Sequence, residues 1–400
     1  MTPLRIIIVF LEAPVPFGNA AARWYSVLLR ELVARGHRVT AFAACGKASE
    51  MAEARRLFPA PEYDLRLYPF PARTGLRSKL DTLRRPHSYM FSAELKRDLE
   101  NGLARGFDVL HLEQLWTGWL GLEHRHKAIV NVHSLYAIDL AGMRTAGVRG
   151  RLLHHLTFAG ETRLLRAFPR FFALSPRLSD AIRAANPAAV VSVVPLGIDC
   201  ERYRCIPDTE RTCEPVVSVI GSMNWYPTHS AAVRLITKLW PEIKRRVPNA
   251  KLQLVGWGAK SALAEYLGLP DVTIEENVPD TRPVFERTSV LLYAPDRGSG
   301  MKVKVLEALA FGVPVVTTSE GVEGLPADDG VHAGVCDDDA GLIDRTVELL
   351  GDPAARNRQR AAGRALLESH CGPRSTVDGV ETAYRAMSAT PDSEPGASRR

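Results

Sequence analysis

Between Ala294 and Gly324 the chain runs APDRGSGMKVKVLEALAFGVPVVTTSEGVEG, and residue types and spacing there suggest chemistry. Gly298, Ser299 and Gly300 form a loop feeding a helix that opens near Met301 and is stopped by Gly312 and Pro314, with a strand over Pro314–Thr318 behind it. Unpaired N–H groups at a helix start, with the positive dipole end, suit an anion such as phosphate. Lys302 and Lys304 add full charges. Glu307, three residues beyond Lys304, shares its helix face and is a carboxylate able to accept from ribose hydroxyls. The set suggests a site for a nucleoside diphosphate. On spacing alone, the same residues equally make an ordinary turn and a solvated Lys304–Glu307 ion pair.

Other candidates sit where strands end. His133 closes the run AIVNVH, and Gly18 lies in the loop EAPVPFGNAA after the first apolar run. Gly221, Ser222 and Asn224 follow the run VVSVI and offer backbone and side-chain donors to a phosphate, or simply a small polar turn. Trp257, between two glycines, and the loop Glu276–Val278 are placed to border a base pocket; the alternative for Trp257 is a packing anchor. A lone histidine such as His133 is by itself more often structural than catalytic, because a near-neutral pKa permits chemistry without demonstrating it.

The elements that must position these residues alternate. Leu4–Leu11 is a continuous apolar run, the pattern of a parallel strand covered on both faces. A helix over about Ala21–Arg35, capped by Gly36, leads to a strand at His37–Ala44. The intervening loop lacks G-x-G-x-x-G, so a dinucleotide site is poorly supported. Further strands are expected at Phe107–Glu113, Ala128–His133, Arg170–Leu174 and Val190–Val194. A second set follows at Val216–Ile220, Lys251–Val255, Val272–Glu275 and Ser289–Ala294, with a loop over Gly221–His229 and a helix over Ala231–Arg246. Such alternation implies doubly wound parallel sheets in two halves, with a cleft between them. The expected units are an N-terminal domain over 1–195, a linker over 196–214, a C-terminal domain over 215–372, a returning helix over 373–387 and a disordered polar tail over 388–400.

Residues 62–107 are less regular. Within them LRSKLDTLRR places Leu76, Leu80 and Leu83 at helical spacing among Arg77, Lys79, Arg84 and Arg85, a basic amphipathic segment that suits a membrane surface or simply a solvated helix. The 400 residues call for two cores rather than one. No apolar run reaches the roughly 18 residues of a membrane span. The amino end is taken as a buried strand, so a cytoplasmic protein is expected. Six cysteines without metal-ligand spacing point to free thiols, with neither a zinc site nor a disulfide framework. The net charge of +6 is too modest to argue for nucleic acid.

Several stretches, in order, resemble one family. RELVARGHRVTAF, FDVLHLEQL, AIVNVHS, FFALSP, VVPLGID, the long run from VSVIGSMNWYP to LQLVGWG, and GSGMKVKVLEALAFGVPVVTTSEGVEGL are similar to segments of the retaining, nucleotide-sugar-dependent glycosyltransferases of family 4. The resemblance spans most of residues 4–385. It implies the GT-B fold, two Rossmann-like doubly wound parallel-sheet domains facing a central cleft. It implies a donor that is a UDP- or GDP-linked sugar, an acceptor that is a saccharide or small molecule, and no cofactor or required metal. By the same resemblance His133 lies near the donor phosphate and anomeric centre, with Gly18 bordering that point. Gly300, Met301 and Lys302 line the pyrophosphate and sugar, and Glu307, the second glutamate of an E-x7-E pattern, holds the ribose. The first glutamate of that pattern is replaced by Ser299, and the basic pair many members carry after the first donor-domain strand is replaced within SMNWYP, leaving Lys302 or Lys304 to supply the charge. A nucleotide-sugar 2-epimerase or hydrolase, and a catalytically silent nucleotide-sugar-binding module, are the alternative readings.

Overall fold

The computed structural model describes residues 2–17, 19–72, 81–141, 143, 147–207, 210, 214–278 and 280–389. The first sheet has seven strands: β1 (Arg5–Phe10), β2 (Arg38–Cys45), β3 (Asp64–Pro69), β4 (Val109–Glu113), β5 (Ala128–Val132), β6 (Arg170–Ala173) and β7 (Val190–Val193), in the order β3-β2-β1-β4-β5-β6-β7. The second has six: β8 (Val216–Ile220), β9 (Lys251–Gly256), β10 (Val272–Glu276), β11 (Val290–Tyr293), β12 (Val315–Thr317) and β13 (Gly334–Val335), in the order β10-β9-β8-β11-β12-β13. Every named pairing is parallel. Ile6–Phe10 and Val216–Ile220 are buried along their length, as strands covered by helices on both faces must be.

The strand order reverses direction between β1 and β4 in one sheet and between β8 and β11 in the other. At such a point the loops leaving the two neighbouring strands splay to opposite faces and open a crevice at the carboxyl ends. The loops after β1, β4, β8 and β11 are therefore the ones placed to hold a ligand.

Three regions differ from the sequence reading. Residues 62–107 are more regular than expected, with β3 pairing along β2 and a helix over Ala93–Ala104 started by the Ser92 hydroxyl, which accepts from Leu95 N at 3.0 Å. The exposed Asp64 and the half-buried Arg66 inside β3 break the apolar pattern of a covered strand and disguise this edge strand. The helix expected at Ala231–Arg246 begins at Tyr226, because Pro227 sits in its first turn, where a missing N–H costs nothing, and it passes through a π turn at Leu235–Leu239. The two-residue β13 is too short for any periodic signal. Residues 76–80 of the basic segment and 390–400 of the tail lie outside the described residues.

The last two helices belong to different halves. Pro353–Cys371 packs on the second sheet's side, with Gln359 Oε1 accepting from Val315 N and Arg360 donating to Gly312 O. After Gly372 the helix Pro373–Ala389 lies on the first sheet's side, where Arg35 bridges to Asp378 and Glu381 and Tyr384 hydrogen-bonds His111 of β4.

Candidate active site

Glu113 ends β4 with its side chain wholly buried. Trp24 Nε1 donates to its Oε1 at 2.9 Å, Asn131 Nδ2 reaches both oxygens, and His133 Nε2 lies 2.7 Å from Oε2. On the other side His111 Nε2 is 3.1 Å from Oε1, with Tyr384 hydrogen-bonded to Nδ1. Burial alone pushes this carboxyl up, but the two imidazoles and their hydrogen bonds outweigh it and hold Glu113 well below the usual carboxylate range. An ionised Glu113 can only accept, so the bond to it is donated by His133 Nε2 and holds the ring in one orientation. His133 is thus an oriented imidazole at the mouth of the cleft rather than a core histidine, its side chain 14% exposed.

The loop after β11 meets this histidine from the other half. Gly300 has φ +68°, and a Cβ there would fall 1.9 Å from the carbonyl oxygen of His133, so only glycine permits both the turn and the approach. Ser299 spans the junction. Its N–H and hydroxyl donate to Asp139 Oδ1 at 2.5 and 2.8 Å, and its oxygen accepts from Leu135 N at 2.8 Å. Burial pushes the Asp139 carboxyl up to about 6, against the Ser299 hydrogen bonds that favour its charged form. Met301 is buried, its sulfur 3.0 Å from Leu196 N.

The helix Val303–Ala310 starts immediately after Lys302, and Val305–Ala310 are all buried, which accounts for its nearly continuous apolar sequence. Lys302 Nζ donates to Gly300 O and lies 3.5 Å from Glu323, whose other oxygen accepts from the Ser175 hydroxyl of the first half at 2.6 Å. Lys304 Nζ donates to Thr228 Oγ1 at 2.9 Å and sits 4.2 Å from the Tyr293 ring centre. Burial, with Lys302 as a second cause, lowers its ammonium to about 7. Glu307 turns elsewhere: it pairs with Arg23 of the helix Ala20–Ala34, and Arg23 also reaches Tyr203 Oη at 3.3 Å. Lys304 and Glu307 are therefore not a solvated pair, since each is covered and bound to its own partner.

Gly221 leaves β8 against the aliphatic end of Lys304, and a Cβ on Gly256 would fall 1.8 Å from Gly221 O, so the loops after β8 and β9 close on each other through two glycines. Met223 N donates to Trp257 O at 2.9 Å, which ties the loops further. Ser222 and Asn224 are exposed, and the Asn224 side chain covers Gly258. Trp257 is 59% exposed, so it does not act as a packing anchor. Val278 is half-buried against the core of the second half. Across the cleft Tyr136 contacts Trp225, Trp116 and His87, with ring centres 5.5 to 5.8 Å apart. Gly18 lies outside the described residues; the helix it precedes is capped by Asn19, whose side chain accepts from Ala22 N at 3.0 Å.

The structure thus draws His133, Ser299, Gly300, Met301 and Lys302 to one junction, with Lys304, Gly221 and Thr228 just behind it. Trp257 and Val278 follow β9 and β10, on the other side of β8 from β11 and its loop. Sequence reasoning missed Glu113, Asp139, Arg23 and Glu323. For Glu113 the signal was present, a carboxylate inside the apolar run FDVLHLE; the contacts of the other three across the two halves, with Ser299, Glu307 and Ser175, span over 140 residues and leave no local signal. Among the described residues no group of three His, Cys, Asp or Glu is placed to hold a metal ion, and no helix is long and apolar enough to cross a membrane.

Comparison with known proteins follows this division. Residues 21–202 match the family described as Glycosyltransferase Family 4, and residues 214–352 match Glycosyl transferases group 1. A GDP-mannose-dependent alpha-(1-6)-phosphatidylinositol monomannoside mannosyltransferase of Mycolicibacterium smegmatis is 28% identical over 205 residues, 45% of this chain and 52% of that protein, so the chain spans about half the length of this curated relative. Among solved structures, sucrose-phosphate synthase from Thermosynechococcus elongatus superimposes with TM-score 0.70 at 16% identity, over 96% of this chain and 99% of that one. Anabaena HepE in complex with UDP and glucose gives 0.65 at 13%, over 96% and 100%. Two parallel sheets whose switch points face each other, and family matches covering each half in turn, identify the chain as a family-4 glycosyltransferase with the GT-B fold.

Proposed function

We propose that the chain transfers a sugar, with retention at the anomeric carbon, from a UDP- or GDP-linked donor to a saccharide or other hydroxylated acceptor. The reading rests above all on one observation: Gly300 of the donor-side loop touches the backbone of His133, whose imidazole is held by the buried Glu113. In it the diphosphate lies at the start of the helix Val303–Ala310, where N–H groups, Lys302 and Lys304 stabilise the charge that grows on the departing β-phosphate without a required metal. Glu307 takes the ribose hydroxyls, exchanging Arg23 for them. Gly221, Ser222 and Asn224 flank the phosphates, while Trp257 and Val278 border the base.

Three residues act at the sugar. His133 Nδ1 accepts from a donor-sugar hydroxyl, Asp139 Oδ2 stands free of the Ser299 bonds for another, and Met301 closes the wall. The anomeric carbon–oxygen bond to the β-phosphate breaks, the acceptor oxygen bonds from the same face, and its proton passes to the departing phosphate oxygen. No protein nucleophile is needed. Transfer is favoured over epimerisation because the first half presents its own aromatic group, Tyr136, Trp116 and His87, beside the cleft, a surface suited to holding a second substrate.

The test is a thermal-shift screen of UDP, GDP and ADP with their sugars, since a ligand of the native state alone raises its melting temperature. The stabilising donor is then incubated with an acceptor panel and the product's anomer assigned by NMR. A retained anomer and a stabilising nucleotide sugar are expected. An inverted product overturns the same-face step, and no stabilisation by any nucleotide overturns the site.

A further inference from the structure

The helix Gly147–Ala167 leaves its first two turns in solvent, with Val148, Leu152 and Leu153 exposed by 74%, 52% and 46%. Large apolar side chains concentrated in this way on a surface helix mark an interaction face. Its charges are one-sided. Arg149, Arg151, His155, Arg163 and Arg166 are exposed, and the helix's one carboxylate, Glu161, is buried, where it accepts from Tyr136 N at 2.7 Å and Ala137 N at 3.0 Å. At 100° per residue, Val148, Leu152, His155, Ala159, Arg163 and Arg166 fall within about 80° of one another, opposite the buried Gly160, Glu161, Leu164 and Leu165. Apolar residues thus lead the stripe and cations follow it. Beside the cations an open hollow of about 520 Å³ is lined by His155, Phe158, Ala159, Thr162, Arg163 and Arg166.

We infer that this stripe docks on an anionic lipid bilayer, with Val148 and Leu152 entering the interface and a phosphate headgroup seated in the hollow between His155, Arg163 and Arg166. The charge argues for lipid: four exposed arginines with no exposed carboxylate on the helix complement a surface of like negative charges, and apolar insertion adds to that attraction. A second copy of the chain would present the same cations and repel them.

The placement gives docking a purpose. Glu161 holds the amides of Tyr136 and Ala137, and that turn ends at Asp139, which touches the donor loop through Ser299. The helix that carries the stripe thus packs by its opposite, buried face against the turn at the cleft, and, resting on the proposed transfer reaction, the acceptor class narrows to a glycan or alcohol anchored in lipid.

The test uses the full chain and vesicles of phosphatidylcholine with phosphatidylglycerol, or phosphatidylcholine alone, sedimented at about 0.1 M salt where screening is still incomplete. Binding to the anionic vesicles and little to the neutral ones is expected. V148S/L152S and R149E/R151E are each expected to weaken it more than about tenfold, with melting temperatures and UDP or GDP stabilisation unchanged. No vesicle binding, binding unaltered in both variants, or a wild-type dimer that the serine variant converts to monomer would overturn the docking. Loss of nucleotide stabilisation in the wild type would instead count against the transfer reaction and leave the docking standing.

Discussion

Lys304 links donor binding to protons. Its ammonium is covered by Thr228, Tyr293 and Gly221, and burial brings it down to about 7, so in the free protein it is half charged at neutral pH and largely neutral at pH 9. A diphosphate at the helix start favours the charged form and raises that value, so above pH 7 binding takes up a proton. The protonated fraction falls from about one half at pH 7 to about one hundredth at pH 9, and the apparent Kd for nucleotide rises about 50-fold over that interval. The terminal phosphate of UDP, with its second ionisation near 6, titrates below this window. Calorimetric titration with UDP and GDP from pH 6 to 9.5, in buffers of different ionisation enthalpy, reads both the slope and the proton count. Lys304→Met is expected to flatten the slope and bind at pH 6.5 about as weakly as the native chain does at pH 9. A Kd that is constant from pH 7 to 9, or a slope that survives in Lys304→Met, would refute the argument.

Three further outcomes follow from the junction. Glu113→Ala leaves Trp24, Asn131 and His133 without their acceptor and is expected to cost about 3–5 kcal/mol in a urea melt; because the folded-state carboxyl is held low, the native contribution is present above its unfolded value near 4.3 and disappears as pH falls below it. A loss under about 1 kcal/mol would show that the network is not a coupled unit. Gly300→Ala is expected to lower turnover at least about tenfold with the melting temperature shifted little, since the strain is confined to a loop between the halves; native turnover would mean the approach to His133 is not needed. Ser299→Glu places a second carboxylate against Asp139 and is expected to destabilise by about 1–3 kcal/mol, with Asp139→Asn recovering part of the loss in a double-mutant cycle. Additive losses would remove the coupling.

Much of this architecture was legible because buried parallel strands announce themselves. β1, β4, β5, β8 and β11 are short, fully or almost fully buried runs dominated by apolar residues, interrupted by Asn131 in β5, Ser218 in β8 and His111 and Glu113 in β4, the pattern of strands covered on both faces. Edge strands escape the same test: β3 exposes Asp64 and carries Arg66, and β13 has two residues. The start of the helix at Tyr226 was misplaced because its first turn, YPTH, has no apolar period. In the site, what local spacing could convey was the loop, its glycines and its lysines. The partners of those groups could not be conveyed that way. That Glu307 meets Arg23, or that Ser299 meets Asp139, is decided by how two sheets face each other, and contacts separated by 160 or 284 residues leave no mark in either neighbourhood.

The returning helix has a mechanical consequence. The chain passes from the first sheet to the second after Val193 and comes back at Gly372, and the two crossing segments are bonded side by side, Ile198 N donating to Cys371 O at 2.8 Å. Two adjacent covalent crossings behave as a pair of pins on one axis. They let the halves rotate and resist their sliding or separating, so a given small turn moves atoms in proportion to their distance from Ile198. For the proposed transfer reaction, product release would be a matter of leverage: a swing about that axis would open the junction of Gly300 with His133 and return it to the same register.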